Sequence, residues 1–189
     1  DSKDLELYLN NIFSCMILYE TLAQFKFVCV KIVDQSSINC INSLTERCFK
    51  IVKLASEQGI KKSSSKIETK SSESATEYSL NTLVYSENII LCIFKVYIQC
   101  SKIEKKYCTI MGIYGVKELI VNILQDLKKN DFSISHSNDV VESSDKDFLT
   151  IILEFILVIL CDEFNLNYFR DPNNIQLIVE FLKNHIKNK

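Results

Sequence analysis

The stretch GVKELIVNIL, residues 115–124, decides the fold class of this chain. From Val116 onward apolar residues recur at spacings of three and four as far as Leu127, which places them on one face of a helix. Gly115 stands directly before this stripe and permits a sharp reversal of the chain. The stretch therefore predicts a short helix ending near Gly112, a glycine corner and a long amphipathic helix.

Helical spacing is not confined to this stretch. Apolar residues follow it in four further segments: 4–33, 38–56, 86–100 and 148–161. The last of these, FLTIILEFILVILC, is shorter than the ~20 residues that a membrane span needs, and Glu154 interrupts it. We therefore expect no membrane span here, but a helix that is buried nearly all round.

Short polar signals suggest where the helices begin. Ser36 or Ser37 could cap the helix at 38–56. Ser101 and Glu104 have the spacing of a capping box, which predicts a helix starting at 102. Asp171-Pro172 is a start signal for the last helix, whose expected buried stripe is Ile175, Ile178, Val179, Leu182 and Ile186.

Composition and charge narrow the fold class and the partners. With three Gly, one Pro and no Trp, the chain has too few turn formers for an all-β sandwich or barrel. Its net charge is −2, whereas a dedicated nucleic-acid binder typically carries a positive charge. Two segments rich in Ser, Lys, Glu and Asp, 59–78 and 130–146, are predicted to be mobile loops.

The residues that carry chemistry show no arrangement typical of an active site or a metal centre. His136 and His185 have no ligand partner at metal-binding spacing on the same helix face. Asp162 and Glu163 are adjacent and are interpreted as solvated charges at a helix end. The eight Cys form no C-x-x-C pair and are interpreted as small core residues in a reducing compartment. We therefore predict no enzyme, no cofactor and no bound metal.

The order of elements indicates an all-α fold of the helical-repeat kind. A long helix, a short helix and a long helix, a loop and two further helices form units of roughly 40 residues, as in an armadillo- or HEAT-like solenoid. A closed helical bundle is the alternative. We expect residues 1–189 to be a single helical-repeat domain, and a fragment of a longer protein.

If the solenoid has a binding groove, we expect the exposed side of the helix at 116–129 to line it. That side carries Lys117, Asn122, Gln125 and Asp126, the predicted partner-binding residues. The alternative is that these four residues form an ordinary solvated helix face.

Two stretches carry a resemblance to a known family. They are ILCIFKVYIQCSKIEKKYCTIMGIYGVKELIVNIL, 90–124, and FLTIILEFILVILCDEFNLNYFRDPNNIQLIVEFL, 148–182. Together they resemble the start of the conserved C-terminal domain of Wapl, the cohesin-release factor, with the segment Asn165-Leu166-Asn167 as the more distinctive part. Residues 1–85 take no part in the resemblance.

The resemblance implies a nuclear, non-enzymatic helical-repeat protein that helps to release cohesin from chromatin. Its partners would be the kleisin and HEAT-repeat subunits of cohesin, with no direct contact to nucleic acid or membrane. The competing hypothesis is a cytoplasmic armadillo/HEAT adaptor that serves transport, trafficking or cytoskeletal partners.

Overall fold

The structure, a computed structural model, describes residues 2–57, 79–129 and 144–187. These residues form helices and no strand, so the predicted all-α class is confirmed. The helices are α1 (Ser2–Leu22), α2 (Lys26–Ile32), α3 (Gln35–Glu57), α4 (Leu80–Ile103), α5 (Lys106–Ile113), α6 (Val116–Lys129), α7 (Ser144–Leu160), α8 (Glu163–Phe169) and α9 (Pro172–Lys187).

The predicted loop at 59–78 lies outside the described residues, and so do residues 130–143 of the second predicted loop. The remaining three positions of that loop, 144–146, belong to the first turn of α7 and are helical.

The helices follow one another in three sets, each made of a long, a short and a long helix. Helices of the same kind lie against each other in successive sets. The first helices α1, α4 and α7 pack in that order, the last helices α3, α6 and α9 do the same, and α5 packs on α8. Each set therefore contacts the next through its first and last helices, and α3 also packs on α4.

Two contacts between α1 and α4 fix the direction of these helices. Asn81 Nδ2 donates to Glu6 Oε1 at 2.7 Å across 75 positions of the chain. Lys95 Nζ lies 3.7 Å from Glu20 Oε1, and these residues are also 75 positions apart. Because the separation is the same at both places, α1 and α4 run parallel and in register.

A similar register relates α3 to the end of the second set. The contacts Asn42–Tyr114 and Lys53–Asp126 span 72 and 73 positions, so α3 and α6 also run in the same direction. Between the second set and the third, the contacts Lys102–Glu154 and Thr109–Asp162 span 52 and 53 positions.

The centre of the core is α4, not the 148–161 segment. Its Phe94 and Tyr97 rings stack on Phe155 of α7, at centroid distances of 5.0 and 5.7 Å. By contrast, Leu157 of α7 is 63% exposed, so this helix, expected to be buried nearly all round, leaves one side open. The reason is that α7 packs on α4 along one side, while no described helix covers the side of Leu157.

Helix α4 also has the length and hydropathy of a membrane span. It is the one single helix of the described part that passes this test, and 67% of its apolar window is buried inside the fold. The pair α5 and α6 passes only if it is counted as one span, yet it is bent by 69°. A central core helix has the same composition.

The glycine corner lies where the sequence predicts it. Gly115 has φ 92°, a conformation that favours glycine, and it joins α5 to α6. The stripe that follows is buried: Val116, Leu119, Ile120, Ile123 and Leu124 are each less than 5% exposed.

Two predicted helix starts are wrong. Asp34, rather than Ser36 or Ser37, caps α3, since its carboxylate accepts from the Ser37 N–H at 2.9 Å. Ser101 belongs to the last turn of α4, and Glu104 is the residue at which that helix ends. There Glu104 accepts from Lys106 and Lys26, so the capping-box spacing is coincidental.

The last helix begins as predicted but buries only part of the expected stripe. Asp171 accepts from the Asn173 N–H at 2.9 Å, and Pro172 is the first helical residue. Of the stripe, Ile178 is half-buried against the core, whereas Ile175, Val179 and Leu182 are 47%, 40% and 37% exposed. The half-buried residues Leu177 and Phe181 beside Ile178 complete the contact of α9 with the core. The side chain of Ile186 lies outside the described residues.

All eight cysteines are free thiols, and they divide by burial. Cys29, Cys48, Cys92, Cys100 and Cys108 are buried, whereas Cys15, Cys40 and Cys161 are exposed. Burial raises the pKa of the Cys48 thiol to about 12, which keeps it protonated. The interpretation as core residues therefore holds for five of the eight.

Candidate functional site

The four residues predicted to line a groove lie on α6 in two different environments. Asn122 and Gln125 are exposed. Asp126 forms an ion pair with Lys53 of α3, with Nζ and Oδ1 3.2 Å apart. The charge of Asp126 is therefore already paired within the fold.

Lys117 is held against two aromatic rings of the third set. Its side chain is only 13% exposed. Nζ lies 4.5 Å from the ring centroid of Phe164 and 5.2 Å from that of Tyr168. Such cation–π contacts stabilise by about 0.5–2 kcal/mol, depending on exposure. Lys117 thus joins α6 to α8, and none of the four predicted residues lines the groove described next.

The groove lies on the first helix of each set, α1, α4 and α7. It has a volume of about 520 Å³. Helix α4 forms its floor, since α4 is the helix that packs between the other two. The lining residues are Ile17, Glu20 and Thr21 of α1, Gln24 in the turn after it, Lys95, Ile98, Gln99 and Lys102 of α4, and Ile151 and Glu154 of α7.

The lining residues of α4 fall at i, i+3, i+4 and i+7, and Ile17, Glu20 and Thr21 of α1 fall at i, i+3 and i+4, which is the spacing of one helix face. On α4 this face interrupts an otherwise apolar surface with two lysines and a glutamine. The polar stripe was not predicted, because residues 86–100 were interpreted as one amphipathic helix with a single buried side. A polar stripe on a central helix indicates a surface left open between its two neighbours.

The register of 75 positions between α1 and α4 also holds inside the groove. It relates Gln24, two residues beyond the end of α1, to Gln99 of α4, which stands 75 positions further along the chain. Neither carboxamide donates a hydrogen bond to another described residue. The neighbouring Thr21 hydroxyl donates to the carbonyl of Ile17 at 3.0 Å. Both glutamine side chains are therefore available to a bound molecule.

Two ion pairs bridge the floor of the groove to its walls. Lys95 lies 3.7 Å from Glu20, and Lys102 donates to Glu154 at 3.0 Å. All four side chains are between 36% and 58% exposed. Exposed pairs of this kind contribute about 0–1 kcal/mol to stability. A ligand can therefore replace them at little cost to the fold.

The Glu20 carboxylate has a second neighbour in the buried thiol of Cys92. Burial, followed by the hydrogen bond to Glu20, raises the pKa of Cys92 to about 12. The thiol therefore stays protonated, and Lys95 is the charged partner of Glu20 at the edge of the groove.

The groove offers aliphatic surface, carboxamides and paired charges to a bound molecule. Among the described residues there is also no group of three His, Cys, Asp or Glu side chains placed to hold a metal ion. The two histidine side chains lie outside the described residues.

A buried polar junction between α5, α7 and α8 was not predicted. Asp162 is 7% exposed, caps α8 by accepting from the Asn165 N–H, and accepts from the Thr109 hydroxyl at 2.6 Å. Asn165 is fully buried and donates to the carbonyl of Cys108 at 2.9 Å. The interpretation of Asp162 as a solvated helix-end charge is wrong, because it caps the short helix α8, which the sequence did not reveal.

Comparison with known proteins gives no relative: no family model, no curated protein and no solved structure matches the chain. The resemblance to Wapl thus rests on the two stretches quoted above and stays a prediction. Those stretches, 90–124 and 148–182, fall within the second and third sets of helices.

Proposed function

We propose that the chain is an armadillo/HEAT-like solenoid that acts as a non-enzymatic scaffold and binds a segment of a partner protein in the α1–α4–α7 groove. The observation that carries this proposal is the groove itself, which is lined by the equivalent helix of three successive sets. A surface built from one repeated helix is a continuous track, and such tracks are the binding surfaces of helical-repeat proteins.

The parallel packing supports a solenoid over a closed bundle. In an up-and-down bundle of four helices, neighbours run antiparallel around a shared centre. Here α1 and α4 run parallel, and α3 keeps a nearly constant separation from the second set at its two contacts. Nearest-neighbour stacking of equivalent helices is the arrangement that defines a solenoid.

Within this function, regulation of cohesin release in the nucleus is the particular role that the resemblance to Wapl implies. The adaptor role in the cytoplasm is the alternative. Both stretches that resemble Wapl coincide with helical sets, so the shared architecture itself accounts for much of the similarity. Partner identity decides between the two roles, and neither requires an enzyme.

The test is affinity capture from nuclear and cytoplasmic extracts with three versions of the 189-residue chain. The groove variant Lys95→Glu/Lys102→Glu should lose the specific partners of the unaltered chain. The matched variant Asn122→Ala/Gln125→Ala, on the exposed side of α6, should keep them. Circular dichroism should show equal helix content for all three, since every altered side chain is exposed.

Loss of the partners with the α6 variant alone would overturn the groove and favour the surface first predicted at 116–129. Cohesin subunits among the groove-dependent partners would support the Wapl-like role. Groove-dependent partners without cohesin would favour the adaptor.

A further inference from the structure

The charges and carboxamides of the groove define the segment that fits it. We propose that the groove takes an extended peptide with an acidic centre and a basic residue on each side of that centre. This inference rests on the proposed function, because it describes the partner of the same groove.

The two glutamines favour an extended main chain over a helix. A carboxamide carries a donor and an acceptor side by side, the same pair that a peptide group presents. In an extended segment the main-chain groups are free to bond with Gln24 and Gln99. In a partner helix they are already used in i to i−4 hydrogen bonds.

The order of charges across the groove sets the order of charges in the peptide. From α1 to α7 a crossing segment meets Glu20, then Lys95 and Lys102, then Glu154. Electrostatic complementarity therefore places acidic side chains over α4 and basic side chains over α1 and α7. Each new pair replaces an ion pair already present, so no charge of the groove loses its partner.

The geometry of α4 places the acidic centre between its two lysines. Lys95 and Lys102 are seven positions apart, which is about 10.5 Å along the helix axis. Ile98 and Gln99 lie between them and form the floor beneath the peptide. Successive side chains of an extended chain point to opposite sides. Two consecutive acidic residues would thus reach one lysine each.

The spacing of the basic residues follows from the spacing of the helices. Packed helices lie about 8–10 Å apart, and an extended chain advances about 3.3 Å per residue. The distance from one helix to the next is therefore spanned by about three residues of the peptide. The matching pattern is a basic residue, two neutral residues, two acidic residues, two neutral residues and a basic residue.

Two peptides of identical composition test this pattern. The first is Lys-Ser-Thr-Glu-Glu-Ser-Thr-Lys and the second is Glu-Ser-Thr-Lys-Lys-Ser-Thr-Glu, both with blocked ends and a net charge of zero. Chemical-shift changes of the folded chain, followed up to millimolar peptide, give both dissociation constants. The first peptide should bind about tenfold tighter or more, because like charges placed opposite each other disfavour the second.

A charge-swapped protein is the matched control. The variant Glu20→Lys/Lys95→Glu/Lys102→Glu/Glu154→Lys keeps both ion pairs and the net charge but reverses their order, so it should prefer the second peptide. If it does not fold, the neutral variant Glu20→Gln/Lys95→Gln/Lys102→Gln/Glu154→Gln should bring the two affinities close together. Gln24→Ala/Gln99→Ala should weaken both peptides without changing their ratio.

Equal affinity of the unaltered chain for both peptides would overturn the charge pattern and leave the proposed function standing. Absence of binding by both, in a chain that still captures groove-dependent partners, would overturn the extended peptide as occupant and again leave the function intact. Failure of the capture test as well would overturn both proposals.

Discussion

Replacing Gly112 by alanine tests the buried junction between the second and third sets. Gly112 lies in α5, directly beneath the fully buried Asn165 side chain. An added Cβ would overlap Oδ1 of Asn165 and come within 2.6 Å of its Cγ. The alanine methyl and the asparagine therefore cannot occupy their present positions together.

The cost follows from what must move. Displacing Asn165 breaks its 2.9 Å bond to the Cys108 carbonyl and leaves buried polar groups unpaired, which costs about 1–3 kcal/mol. Crowding of the packed interior adds about 1–3 kcal/mol. Alanine is better than glycine inside a helix, which offsets about 0.5–1 kcal/mol. We expect a net loss of about 3 kcal/mol.

Urea unfolding of Gly112→Ala, Asn165→Ala and the double variant separates these terms. Asn165→Ala alone should cost about 1–3 kcal/mol, since the Cys108 carbonyl loses its donor. The double variant should cost no more than Asn165→Ala alone, because the obstacle to the methyl group is gone. Strictly additive losses, or a Gly112→Ala variant as stable as the unaltered chain, would refute the steric argument.

Three further changes probe other contacts. Because Gly115 has a positive φ, Gly115→Ala should lower the free energy of unfolding by about 1–2 kcal/mol. Gly115→Asn should cost less, since asparagine adopts this conformation more readily than alanine. Equal losses for the two variants would contradict a backbone cause. The Lys106 hydrogen bond is the main cause that lowers the pKa of Glu104 to about 2 from 4.5, so Lys106→Ala should raise that pKa in a carboxyl NMR titration. A carboxylate whose pKa is lowered in the folded state stabilises the fold above its unfolded pKa. The stabilisation by Glu104 should therefore fade as the pH falls from about 4.5 towards 2. A Glu104 pKa that is unchanged in Lys106→Ala would contradict the assignment to Lys106. Lys117→Ala should destabilise by about 1 kcal/mol, and the loss should shrink in a Phe164→Leu background if the cation–π contact is its cause.

Local pattern sufficed for the helix that carries the fold class, because the stripe from Val116 and the conformation of Gly115 depend on neighbours in the chain. The start of α9 at Asp171-Pro172 has the same local origin. Helix α8 could not be predicted from local pattern. It has only seven residues, and its buried residues are Asn165 and Phe169, so no repeated apolar spacing marks it.

The groove depends on register between distant segments, which one sequence does not display. The separation is 75 positions from α1 to α4 but 52 from Lys102 to Glu154, because the connecting segments differ in length. No fixed period therefore relates Gln24 and Gln99 to a partner in the third set. The polar stripe at Lys95, Gln99 and Lys102 is the one local trace of the groove.

The positions of the buried cysteines make local opening of the fold measurable. Cys29 and Cys48 are buried in the first set of helices, and Cys92, Cys100 and Cys108 in the second. Since alkylating reagents attack the exposed thiolate, these five sulfurs become modifiable only when their own set comes apart. The order in which they acquire label would show whether the first or the second set opens first, with no probe introduced.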